Sequence, residues 1–76
     1  MKPSVGRIVH YTAEDGEPIA AIITMVDPAG SDDVTLTAFP PGVMPGPILD
    51  GDSSAPAAIP YAEAPTPGHW SWPPRV

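Results

Sequence analysis

The chain has 76 residues, no cysteine, nine acidic residues against three basic ones and a formal net charge of −6. That length allows one domain at most, with a core that is marginal because a chain of this size buries only about 60% of its unfolded surface. The missing cysteines exclude a disulfide or thiolate site, and Lys2, Arg7 and Arg75 are too few to neutralise a phosphate backbone or an anionic membrane surface. Nucleic acid and membrane are therefore not expected as partners. Burial against another chain is the remaining way to support so small a core.

Thirteen prolines and seven glycines are unevenly placed: three prolines fall in residues 1–39 and ten in residues 40–76. This divides the chain into β-core strands over 1–39, a Pro/Gly-rich loop or arm over 40–56, and a closing edge strand with a Trp-containing segment over 57–76. Met1 to Ser4 leads into a strand rather than a long apolar run, so no signal peptide is expected, and no apolar stretch nears the ~20 residues of a membrane helix.

The first strand is read over Val5 to Tyr11, with Val5, Arg7, Val9 and Tyr11 on one face and Gly6, Ile8 and His10 on the other. Gly6 inside a strand marks a bulge or a close backbone approach. Ala13-Glu14-Asp15-Gly16 reads as a turn. Its acids, with Glu17, form a solvated tip, because their spacing lacks the alternating oxygen ligands of a calcium loop.

The stretch from Pro18 to Phe39 carries the highest apolar density and organises the rest. Ile19 to Val26 is almost unbroken apolar, which predicts a strand buried on both faces. Val34, Leu36 and Ala38 alternate with Thr35 and Thr37, which predicts a half-buried strand. Between them, Asp27-Pro28-Ala29-Gly30-Ser31-Asp32 places Pro at a corner and Gly where φ can be positive, with aspartates capping the turn through its own backbone.

Phe39 to Pro47 holds four prolines and cannot form a central strand. Val43 and Met44 reach either back to the core or out to a neighbour. Ile48-Leu49 adds a short strand, and Asp50-Gly51-Asp52-Ser53-Ser54 is a polar connector with too few oxygens for a metal site. Ala57 to Ala62 is an edge strand interrupted by Pro60. Trp70 and Trp72 share one face of an extended segment because their spacing is two. Either one of them closes the fold over the central hairpin, or one packs inside while the other anchors a partner, as tryptophan does at interface hot spots.

His10 and His69 are the only bases of suitable ordinary pKa, and no nucleophile, hydrolase, phosphate-binding or dinucleotide motif accompanies them. No catalytic residue, cofactor, metal or small-molecule substrate is expected, and the class is all-β with about five short strands.

Pro3-Ser4-Val5-Gly6-Arg7-Ile8-Val9-His10-Tyr11, the strand Ala20 to Val26, Pro60-Tyr61, and Gly68-His69-Trp70-Ser71-Trp72-Pro73 together resemble a family of small proteins encoded by actinobacterial phages and their hosts. The likeness covers both ends and the central strand, about half the chain. This sequence departs from the family in a shorter Thr12–Glu17 loop, a proline-rich insert at Pro40 to Pro47, and the lack of cysteines that many members carry. The resemblance implies an SH3-like β-barrel and a phage setting. In that setting the expected role is a capsid decoration protein in the virion, made in the host cytoplasm, binding the major capsid protein and self-associating as a trimer on the shell. The interface expected for it comprises Val43, Met44, Pro45, Pro47, Trp70, Trp72, Pro73 and Arg75. An intracellular adaptor binding through an SH3-like groove or its Pro-rich segments is the alternative, and a tail or neck component a weaker one.

Overall fold

Gly6 decides where the first strand begins. Its φ of 91° is open to glycine and strained for other residues. Gly6 N donates to Ile23 O at 2.8 Å, and Ile23 N donates to Arg7 O at 2.9 Å. Two residues thus oppose one, the pattern of a glycine bulge. The regular ladder starts only after it. β1 accordingly spans Ile8–Thr12 rather than starting at Val5, which the bulge leaves exposed. The computed structural model describes residues 2–49 and 55–74.

The other strands are β2 (Pro18–Val26), β3 (Val34–Phe39), β4 (Gly46–Pro47) and β5 (Trp70–Ser71). They form one antiparallel sheet in the order β4-β3-β2-β1-β5, and no helix occurs among the described residues. The expected class, a small all-β barrel of about five short strands, is the one observed. The turns behave as their residues dictate. Gly16 N donates to Ala13 O, and Gly30 N donates to Asp27 O, both glycines having positive φ.

β2 corrects one expectation. It is buried on one face only, through Ala21 and Ile23, while Ala20 and Met25 are exposed and Ile22 is half-buried. A second bulge explains the unbroken apolar run. Ile23 faces Leu36 and Met25 faces Thr35, leaving Thr24 as the extra residue. Beyond Thr24 the faces exchange. Val26, opposite Val34, packs against the core, and Met25 points away with 58% of its surface exposed. β3 keeps the expected alternation, with Val34, Leu36 and Ala38 buried.

The core is Val9, Ala21, Ile23, Val34, Leu36, Ile59 and Trp70. Two of these come from the proline-rich half. Ile59 N donates to Val34 O at 2.8 Å, and Val34 N donates to Ile59 O at 3.0 Å. One residue on, the same segment turns its other edge to β5. Trp70 N donates to Pro60 O, and Ala62 N donates to Trp70 O, both at 3.0 Å. Residues 57–62 therefore join β3 to β5 and close the sheet on itself. The missing N–H of Pro60 is not among the groups these bonds use.

Candidate functional site

The sheet register sorts the strand residues into two faces. Val9, Ala21 and Ala38 lie in one row on the inside. The flanking rows, His10–Ala20–Phe39 and Ile8–Ile22–Thr37–Pro47, lie on the outside. Ile8 is 62% exposed, and Ala20, Met25, Phe39 and Pro47 are exposed as well. No Asp, Glu, Lys or Arg occurs in any of the five strands, and His10 of β1 is the one titratable side chain with a ring nitrogen among them. Glu14, Asp15, Glu17, Asp27, Asp32, Asp33 and Glu63 all sit in the connections. A sheet face exposed to solvent normally carries polar or charged side chains, which also block edge pairing. Here that face is mostly apolar, with His10 and the threonines of β3 as its polar members and no carboxylate, lysine or arginine.

The residues expected at the interface fall into three groups. Val43, Met44, Pro45 and Pro47 are exposed, Met44 at 87%, so Val43 and Met44 turn outward instead of back to the core. They follow Phe39 along the chain through a turn in which Val43 N donates to Pro40 O. Trp70 is in the core at 1% exposure, and Trp72 and Pro73 beside it are half-buried. Arg75 lies outside the described residues, as does the connector Asp50 to Ser54.

Trp70 is the tryptophan that packs inside. Tyr11 of β1 is its register partner, and its indole Nε1 donates to the Asp32 carbonyl at 2.8 Å. A buried indole needs such an acceptor, and the β2–β3 turn supplies it. Tyr61 and Trp72 pack against its ring, with centroids at 4.8 and 5.2 Å. Asp32, Tyr61, Trp70 and Trp72 border a shared hollow. Sequence reasoning read Asp32 as a turn-capping residue and Tyr61 as part of an edge strand, and linked neither to Trp70. Their part depends on a turn and a closing segment far apart in the chain, and Pro60-Tyr61 was the only local hint.

His10 is half-buried in the outer row opposite Ser71, and His69 Nδ1 lies 3.0 Å from Pro67 O. Asp27 holds its loop through its carboxylate. Ser31 Oγ and Ala29 N both donate to it, and these bonds, the Ser31 one foremost, lower its pKa from the ordinary 3.8. Thr12 is buried, and its Oγ1 has no hydrogen-bond partner among the described residues.

A scan against family models and searches of curated proteins and solved structures found no match to this chain.

Proposed function

We propose that the chain is a non-catalytic virion structural protein, a decoration protein seated on the outer surface of a phage capsid shell and stabilising it. The observation that carries the reading is the apolar patch of Ile8, Ala20, Ile22, Met25 and Phe39 on the outer sheet face, which bears no carboxylate, lysine or arginine. Contiguous exposed apolar surface on a small domain marks a docking site, because leaving it in water forfeits roughly 25 cal/mol per Å². Val43 and Met44, exposed on the loop after Phe39, extend the apolar surface available to a partner. The acids of the described residues, all in the connections, keep the seated domain soluble while the apolar patch meets the shell. The likeness of its terminal segments to small phage-encoded proteins supports the phage setting, with the major capsid protein as partner and copies of the chain meeting as trimers.

Purified particles run on a denaturing gel test this directly. A decoration protein is present at high copy number, and Ile22→Glu on the outer face lowers its retention while leaving the isolated barrel folded. A tail or neck component is present at low copy number. Absence from particles overturns the virion reading and favours an intracellular adaptor.

A further inference from the structure

The hollow bordered by Asp32, Tyr61, Trp70 and Trp72 measures about 180 Å³. The Tyr61 and Trp70 rings are tilted by 56°, and the Trp70 and Trp72 rings stand at 83°. Trp70 is buried, whereas Tyr61 and Trp72 are half-buried and present ring surface. The one donor of the Trp70 indole is already used on the Asp32 carbonyl. Buried and with its donor spent, Trp70 forms the floor of the hollow, and the rings left to face a ligand are those of Tyr61 and Trp72. Aromatic faces carry negative potential and attract cations, most strongly where several rings border the same space. The anionic residue on the rim and the chain's formal charge of −6 add to that attraction.

We propose that this hollow is an aromatic cage for a single organic cation head, an ammonium or guanidinium carried on a carbon stem. Its size agrees. Sites for drug-sized ligands run to ~300–1,000 Å³, so this one admits a head group and little more. An anion is repelled by Asp32, and a neutral group of the same shape gains nothing from the ring potential. The cage shares no residue with the outer sheet face, so it does not depend on where the chain is seated.

Choline and its neutral isostere 3,3-dimethyl-1-butanol are the probes, titrated while the Trp72 indole N–H signal is followed by NMR. Choline should bind at least ~5-fold more tightly than the isostere. Equal binding of the two, or an unmoved Trp72 signal with both, overturns the proposal. A capped Gly-Arg-Gly peptide added as a third probe identifies the source of the cation. Tighter binding than choline assigns the cage to a side chain of a basic polypeptide, and weaker binding assigns it to a free quaternary ammonium. Two variants keep the test decisive. Trp72→Leu removes one wall and should abolish the choline preference. Asp32→Asn lies on an exposed loop, leaves the melting point within a few degrees, and should weaken choline ~3-fold without changing isostere binding. Wild-type affinity for choline in both variants overturns the cage.

Discussion

From Ile8 to Phe39 nearly every residue outside the turns lies in a hydrogen-bonded ladder. From Pro40 to Pro74 the described chain meets the sheet in short, separated stretches: Gly46 to Ile48, Ile59, Tyr61 and Gly68 to Ser71. The difference follows from where the donors are. A ladder needs an N–H at alternate positions on each edge, and Pro45, Pro47, Pro56 and Pro60 lack one. The second half compensates with side chains. Ile59 and Trp70 are core residues, and Ile48, Ala57, Tyr61 and Trp72 pack against them. A proline-rich segment can thus be integral to a small core without forming strands of any length. Its restricted backbone also lowers the entropy lost on ordering it.

The comparison breaks most sharply at Trp70. Trp70→Ala removes the largest buried side chain and leaves the Asp32 carbonyl without its donor. A loss of about 3–5 kcal/mol is expected in urea unfolding, enough to consume much of the stability of a small domain. A loss below about 1 kcal/mol would mean that the first half folds without the second. Ile59→Ala set beside Leu36→Ala tests the same point with matched chemistry. Each should cost about 2–5 kcal/mol, and the two should agree within about 1 kcal/mol if both halves share one core. Ile59→Ala costing a small fraction of Leu36→Ala would reduce residues 57–62 to a covering strap.

A smaller effect of opposite sign is expected at Thr12, where β1 meets the second half through Thr12 N to His69 O and Gly68 N to Thr12 O. Thr12 is 2% exposed, and its buried hydroxyl has no hydrogen-bond partner among the described residues. Thr12→Val keeps the β-branched shape and should stabilise by about 1 kcal/mol, read as a higher urea midpoint. A lowered midpoint would show that the hydroxyl is satisfied in solution. The smallest effect belongs to the β2–β3 turn. The lowered pKa of Asp27 means its carboxylate favours the folded state above the ordinary value of 3.8, and that support is lost as pH falls through the folded value. Ser31→Ala removes the first cause, so the Asp27 carboxyl should titrate closer to 3.8 by NMR, with stability at neutral pH almost unchanged. An unmoved titration would assign the shift to the backbone N–H groups of Ala29 and residue 31.

Local chemistry made much of this fold legible. Gly6 reported its bulge, Gly16 and Gly30 their turns, and the Val34–Leu36–Ala38 alternation its buried face, because each signal lies within a few residues of its consequence. Ile19 to Val26 was harder. An unbroken apolar run is produced equally by a strand covered on two sides and by a bulged strand with one bare apolar face. Only the slip at Thr24 distinguishes them. The spacing of the two tryptophans placed them together but could not say which was inside. That choice rests on the Asp32 carbonyl, 38 positions away. The hollow beside them was illegible for the same reason: its four residues come from three separate segments.

The closure through residues 57–62 also bears on how such a chain behaves when crowded. β2 lies between β1 and β3, and the outer side of β3 is taken by β4 and by Ile59. None of the long strands offers a bare row of amides, so neighbouring copies cannot extend one another's sheet into a fibre. High local density then favours side-by-side contacts through surfaces rather than runaway polymerisation, a property that any lattice of many identical small β-domains requires.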